Sequence, residues 1–319
     1  MQFSNFHVIL LLSVINVTGA LKVLLFWTVD SKPRTQEVVQ RNVAYAKQED
    51  QGGFDCCDVF LAHYDGNPKE WDQKWYHDNV VRYSANPGFK FKSFKEFYLD
   101  QALQDFNWAQ QYEWVWTLDS DIDITHMNLR RFFAVARSSG SVLISPTFQG
   151  DAAQWTDFNL RLQGSGFFDQ EDHTKQTAGD LQAGEDAATT ASKINVIGRP
   201  DEHCSYRHTT YVEMTATLIH VSALDVVFRL CEHCIGEKAE WGMDRIWCSV
   251  TRKQLSIDKP CAYIDEVPVL HLDWKSAPIN GDFPESDHEV REYHAQDYVA
   301  IENLDCIPRV ARTESAPVV

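Results

Sequence analysis

Short apolar runs alternate with amphipathic stretches along the first half of this chain. Leu21 to Val29 is almost wholly apolar, the pattern of a buried strand, and the polar turn Asp30-Ser31-Lys32-Pro33 closes it. Val38, Val39, Val43 and Ala46 recur at helical spacing within Thr35 to Lys47. Asp58 to His63 is a second short strand, ended by the turn residues Tyr64-Asp65-Gly66-Asn67-Pro68. Strand, helix, strand in this order predicts a right-handed parallel unit. Residues Pro87 to Phe106 read as an amphipathic helix through Phe94, Phe97, Tyr98, Leu103 and Phe106. Trp114 to Leu118 has the aromatic and β-branched composition of a buried strand. A helix over Leu129 to Ala136 and a strand over Ser141 to Ser145 follow.

The pattern then breaks. Gly150 to Thr210 is rich in Gln, Asp, Gly, Ala and Thr, with a low-complexity acidic centre from Gln170 to Ala191, and predicts a long loop or lid. Alternation resumes in Tyr211 to His220, a strand, followed by helices at Leu224 to Cys231 and Met243 to Thr251. Strands are expected at Ala262–Ile264 and Val267–Leu270, and a disordered tail over residues 306–319. The sum is an α/β fold, a mixed, mostly parallel sheet flanked by helices in a single domain over residues 21–305.

Composition narrows the function. With 44% hydrophobic and 12% aromatic residues in 319, the chain has ample core. A net charge of −17 argues against a nucleic-acid partner, which calls for basic stripes. Val8 to Val17 is mostly apolar and Thr18-Gly19-Ala20 offers small residues for cleavage, so residues 1–20 read first as a signal peptide and second as a retained N-terminal anchor. Membrane association is expected only if that segment is retained. Eight cysteines fit the oxidising compartment this implies: the Golgi or endoplasmic-reticulum lumen, or secretion. Cys231-Glu-His-Cys234 has the spacing of half a zinc site; with no second matching pair, a disulfide or buried thiols is the expected state.

The sharpest chemical signal follows the strand at Leu118. Asp119, Asp121 and Asp123 alternate there, and three acids cannot continue a buried sheet without partners. Placed just past a strand's carboxyl end, where open α/β sheets bind ligands, they offer hard oxygen ligands for Mg²⁺ or Mn²⁺. Helix capping toward Met127 is the plainer alternative. An EF-hand is excluded, because Ile124 replaces the turn glycine and Arg130 the closing glutamate. An Asp-dependent phosphatase is a minor rival. Lys90, Lys92 and Lys95 start the preceding helix as a solvated face, with Lys92 or Lys95 as the alternative diphosphate contact.

Four local patterns line up in order: Asp119-Ser-Asp121, Val212-Glu213-Met214, Glu240-Trp241-Gly242-Met243-Asp244, and Val267-Pro-Val-Leu-His271. With His63-Tyr-Asp-Gly66 and the strand from Tyr112, they resemble the GT-A class of nucleotide-sugar-dependent glycosyltransferases. More narrowly they resemble the plant and protist family catalogued as domain of unknown function 707. Ser120 stands where that family usually has Glu, and Leu272-Asp273-Trp274 where glycines and prolines often follow its histidine. The resemblance implies a GT-A-like, Rossmann-like fold and transfer of a hexosyl or pentosyl group to a glycan, glycoprotein or glycolipid hydroxyl. It implies metal ligation by Asp119, Asp121 and His271, with donor contacts from Asp119, Asp121, Trp241 and Gly242; Lys95 joins them as the donor contact read from the helix start. Asp244 is implied as the catalytic base, with Glu213 and Glu240 as fallback acids. A non-catalytic carbohydrate-binding relative is the competing reading.

Overall fold

The computed structural model describes residues 22–48, 57–104, 108–149, 198–235, 242–272, 290 and 292–309. The leader expected over residues 1–20, the centre of the expected lid, Glu240 and Trp241 lie outside them. Strand β1 (Val23–Val29) is buried along its whole length, as its composition requires. Helix α1 (Pro33–Ala46) follows, with proline in the first turn, where a missing N–H costs nothing. It buries Val38, Val39, Val43 and Ala46, the predicted stripe. Strand β2 (Asp58–His63) returns parallel to β1. The short helix α2 (Gln73–Asn79) is capped by Asp72 and leads to β3 (Arg82–Ser84), parallel to β2.

Helix α3 (Lys90–Gln104) precedes β4 (Trp114–Leu118), which pairs parallel with β1 on the side away from β2. The two-residue β5 (Ile122–Asp123) and helix α4 (Leu129–Ser139) come next. Asn128 caps α4 by accepting from the Arg131 N–H, and Gly140 ends it at φ 67°, a left-handed conformation that favours glycine. The capping role considered for the upstream aspartates is therefore taken by Asn128.

Beyond these come β6 (Leu143–Gln149), β7 (Cys204–Thr209), β8 (Ala216–His220), the short helix α5 (Val221–Leu224) with a wider helical turn to Leu230, α6 (Met243–Leu255), β9 (Cys261–His271) and β10 (Asn303–Pro308). The main sheet runs β10-β7-β9-β6-β8-β4-β1-β2-β3, with β5 on the end of β9. It is mixed, as expected: β3, β2, β1 and β4 are parallel, β9 is parallel to β6, β8 and β7 run opposite to their neighbours, and the edge strand β10 pairs antiparallel with β7.

Two expected boundaries are corrected. Cys204 to Thr209, assigned to the lid, is a strand bound to both β9 and β10, with Cys204 fully buried. Cys306 to Pro308, assigned to the tail, is the end of β10, and a disulfide joins Cys306 to Cys204. Further disulfides link Cys231 to Cys234 and Cys248 to Cys261.

The two strands expected around Asp265 are one. Between Ile264, opposite Pro146, and Val269, opposite Phe148, strand β9 places Asp265, Glu266, Val267 and Pro268 against Thr147 alone, a large bulge. Arg207 holds Asp265 through two hydrogen bonds of 2.8 Å, and Arg131 holds Glu266 through two more of 2.8 Å. Such bidentate pairing lets acids sit within a sheet. Pro268, which has no N–H, sits in the bulge where no ladder bond is lost.

Candidate active site

The site forms at the carboxyl ends of β1, β2 and β4. β2 and β4 flank β1 on opposite sides, so successive connections leave in opposite directions and open a crevice there. The residues just past these strands are Asp30, then Tyr64 and Asp65, then Asp119 to Asp121.

After β4 the chain turns tightly. The Asp119 N–H donates to Thr215 O at 3.0 Å and the Ile122 N–H returns to Asp119 O at 3.2 Å. The turn hands the chain to β5, where Ile122 pairs with His271, and the Leu272 N–H donates to Asp121 O at 2.9 Å. The end of β9 is thereby stitched to the aspartate turn, and His271 Nε2 lies 3.0 Å from Asp121 Oδ2. Asp123 faces elsewhere. Arg41 pairs with its carboxylate at 2.8 Å, which also accepts from the Thr125 N–H and hydroxyl.

Asp119 Oδ1 accepts from Lys90 Nζ at 2.7 Å, and the same ammonium donates to Met214 O. Lys90 is the first residue of α3 and buried. Lys92 and Lys95, the lysines expected to touch a donor, lie about 200° and 500° further round the helix at about 100° per residue, so neither follows Lys90 toward Asp119. Sequence spacing marked a basic helix start without saying which lysine would face the acids. A signal lay in Lys90 coming first, where a helix begins beside a strand end.

Glu213 precedes β8. Its N–H donates to Tyr263 OH at 2.9 Å and its Oε1 accepts from the Thr215 hydroxyl at 2.9 Å. Asp244, in the first turn of α6, is 6% exposed and accepts from Tyr211 OH at 2.9 Å. Gly242 before it has φ 94°, which only glycine adopts without strain. The structure thus brings Lys90, Asp119, Asp121, His271 and Glu213 into one field, with Tyr263, Tyr211 and Asp244 continuing from Glu213.

Charges in this recess are poorly balanced. Protein crowded around Asp119 raises its carboxyl above the usual range; Lys90 pulls the other way and Asp121 adds to the rise. Burial likewise raises Glu213 against the opposing influence of His271. Burial lowers His271, but the hydrogen bond and charge of Asp121, with Glu213 and Asp119 behind it, outweigh that and raise it. The recess holds more anion than cation, and carboxylates with an imidazole make a donor set suited to Mn²⁺ or Mg²⁺. Among the described residues, the donor atoms of Asp119, Asp121 and His271 do not close to within 4.8 Å of one another, and Asp119 Oδ1 is engaged by Lys90.

The rim beside β1 and β2 is also polar. Burial and a hydrogen bond to Asp30 raise the Tyr64 phenol, and the charges of Asp65 and Asp121 add to the effect. Asp65 accepts from the Ser31 N–H at 2.7 Å and so ties the β1 and β2 ends together. Tyr64 nonetheless leaves 41% of its surface exposed. His63 is buried against Tyr76 OH at 3.0 Å, and burial pushes it down to about 4, so it serves as a neutral core residue.

No family model matches this chain, and no curated protein does. Solved structures with a similar arrangement exist. A mannosyltransferase from Pyrobaculum calidifontis, in complex with GDP-Man and Mn²⁺, is 12% identical, with a TM-score of 0.43, over 82% of this chain and 59% of its own. Residues 1–349 of S. aureus TarS with UDP-GlcNAc are 13% identical, with a TM-score of 0.46, over 87% and 66%. Glucosyl-3-phosphoglycerate synthase from Mycobacterium tuberculosis, with Mn²⁺, UDP and glucosyl-3-phosphoglycerate, is 11% identical, with a TM-score of 0.43, over 92% and 89%. This chain spans less than two thirds of the first two. Likenesses at this distance say nothing of the chemistry, which rests on the site.

Proposed function

We propose that this chain is a divalent-metal-dependent glycosyltransferase of GT-A-like type. It moves a hexosyl or pentosyl group from a nucleotide-sugar to a hydroxyl of a glycan, protein or lipid. The observation that carries this reading is the contact of His271 with Asp121, beside Asp119, at a crevice on the strand ends. A late histidine returning to an aspartate pair makes a mixed oxygen and nitrogen donor set in a recess with excess negative charge, which suits a divalent cation. The motif resemblance to the family of unknown function 707 points the same way.

Asp121 and His271 would hold the ion, and Asp119 would join them on exchanging Lys90. Such an ion, when bound, offsets the charge developing on a departing nucleoside diphosphate. Lys90 is placed to supply a second positive charge near the same oxygens. The exposed face of Tyr64 offers a platform for a nucleobase, and Asp30 or Asp65 an acceptor for hydroxyls at the rim. Asp244 is assigned as the base that takes the acceptor proton, its carboxylate oriented by Tyr211. Glu213 is the alternative, closer in charge to His271. Glu240 and Trp241 keep the roles the motif implies, a spare acid and a donor contact beside Gly242. A lumenal or secreted location agrees with the disulfides, and residues 1–20 supply the targeting segment in this reading.

The test is a thermal-shift panel of nucleotide-sugars with Mn²⁺, Mg²⁺ or a chelator, followed by mass analysis of products with a broad acceptor set. The expected result is stabilisation only when donor and ion are both present. Equal stabilisation under chelation removes the metal from the proposal. Donor binding without transfer to any acceptor favours the carbohydrate-binding alternative.

A further inference from the structure

A second constellation lies outside the crevice. Cys231 and Cys234 follow the helical turn ending at Leu230, and His294 reaches them from the C-terminal segment. The ligand atoms of these three side chains lie within 4.8 Å of one another, and they form the one such group of His, Cys, Asp and Glu among the described residues. In this structure the two sulfurs are joined.

A disulfide asks nothing of a histidine, yet this one is placed with care. His294 Nε2 lies 3.7 Å from Cys231 Sγ. A tetrahedral zinc ion with bonds of about 2.3 Å to sulfur and about 2.0 Å to nitrogen sets its S···N ligand separation at about 3.5 Å. The other ring nitrogen, Nδ1, faces Asp297 Oδ2 at 3.4 Å. Asp297 is itself buried and fixed by Lys253 Nζ and, at 3.3 Å, by the Ser249 hydroxyl, both on α6. A carboxylate behind a histidine is the outer support that orients imidazole toward a metal. Cys231 is 4% exposed and Cys234 1%, while the His294 side chain keeps 15% and gives the cluster a path to solvent. Cys-x-x-Cys is also the ligand spacing of zinc knuckles.

We propose that Cys231, Cys234 and His294 form a zinc site when the Cys231–Cys234 bond is reduced, with Asp297 as the supporting carboxylate. A dithiol reductant opens the bond, giving two protein thiols and the reductant's own disulfide. Zinc then displaces two thiol protons and binds two thiolates and the neutral imidazole, leaving a fourth position for water. His294 Nε2 gives up its present contact with Glu232 O, at 2.6 Å, to become a ligand. The ion would pin the C-terminal segment to the chain leading into α6, the helix that carries Asp244. This site is independent of the proposed transferase chemistry, so either can fail alone.

The experiment titrates Co²⁺ into the full chain, reduced with a phosphine under anaerobic conditions, and follows thiolate-to-cobalt absorption. One cobalt per chain with that band, displaced by zinc, is expected. Cobalt at Asp121 and His271 gives no thiolate band, so the two sites separate spectroscopically. The paired change Cys231→Ser, Cys234→Ser should abolish the band, which also excludes the remaining cysteines. His294→Gln should weaken binding at least about tenfold, and Asp297→Asn about 10- to 100-fold, in variants whose far-ultraviolet dichroism matches wild type. The wild-type titration stands alone if a variant does not fold. Absence of the band in reduced wild type, its survival in the paired serine variant, or unchanged affinity in His294→Gln overturns the proposal.

Discussion

His271 Nε2 sits 3.0 Å from Asp121 Oδ2, across 150 residues of chain. The pairing of Ile122 with His271 and the Leu272 N–H on Asp121 O make this contact a product of sheet register. Asp121→Asn and His271→Gln should each abolish the ion-dependent stabilisation by nucleoside diphosphate while leaving the fold intact. At a ligand concentration of 100 times Kd, the stabilisation lost is about 2.7 kcal/mol. Thermal shifts with and without Mn²⁺ read it directly, and a full shift retained in Asp121→Asn contradicts the assignment.

The same recess sets a pH dependence. His271 is raised in the folded state, so its contribution is full below its unfolded value of about 6.5 and is lost as pH rises through the higher folded value. Asp119 and Glu213, also raised, act with the same sign: the folded protein loses stability as pH rises through their folded values. Asp30 and Asp65 are lowered, so their contribution is present above about 3.9 and lost only in acid. In chelator-treated protein, the urea midpoint should therefore rise as pH falls from about 8 toward 6. His271→Gln should flatten that slope, and Mn²⁺ should flatten it in wild type. A slope identical in the variant argues that other groups set it.

Lys90 is nearly enclosed, at 6% side-chain exposure, while its partner Asp119 keeps 40%. Lys90→Met removes a charge and a donor together and leaves Asp119 and the Met214 carbonyl short of a partner. Because Asp119 retains contact with water, the expected loss is about 1–3 kcal/mol, below that of a fully buried pair. Urea denaturation measures it. Added Mn²⁺ should recover part of the loss, since the ion takes over neutralisation of Asp119.

Asp244 and Tyr211 give a test of the base. Asp244 sits in the first turn of α6, behind Gly242 at the cap position, so Asp244→Asn keeps the side chain's shape and removes its basicity at the cost only of one charge near the helix start. Transfer should fall at least about a hundredfold with donor binding unchanged. Tyr211→Phe, which only frees the carboxylate, should cost far less. A hundredfold loss in Glu213→Gln with near wild-type turnover in Asp244→Asn reassigns the base to Glu213.

Disulfide Cys204–Cys306 spans 102 residues and fastens the edge strand β10 to β7. Replacing both cysteines by serine should lower stability by about 2–5 kcal/mol, as expected for a bond closing so long a loop. Thermal unfolding in the absence of reductant checks this. Protein isolated from its native compartment should also resist thiol labelling at these positions when denatured without reductant.

Much of the frame could be read from residue pattern because burial there is local. Val23 to Val29, the stripe on α1 and Trp114 to Leu118 each state their environment within a few residues. Asp119 and Asp121 were legible because acids ending an apolar strand have little alternative to a site. What escaped depends on distant partners. The acids Asp265 and Glu266 looked like a break between two strands, because Arg207 and Arg131, which make them tolerable within one, are remote in sequence. Asp123 looked like a third ligand until Arg41 claimed it, and the reach of Lys90 to Asp119 depends on how α3 is set against the sheet. Val212 and Glu213 carry the alternation of a strand, but Tyr263 and Thr215 hold Glu213 in a loop before β8.

The bulge in β9 governs more than local shape. Tyr263, which holds Glu213, precedes it, and His271, which meets Asp121, follows it. Side chains along a strand alternate between faces, so one residue added or removed between Asp265 and Pro268 turns every later side chain over unless the bulge absorbs it. The salt-bridged acids therefore act as a phase lock for the distal half of the strand. Length changes should be tolerated poorly there even where composition is free, since a single-residue deletion presents Leu272, and an insertion Leu270, to Asp121, and either turns the buried Val269 out of the core.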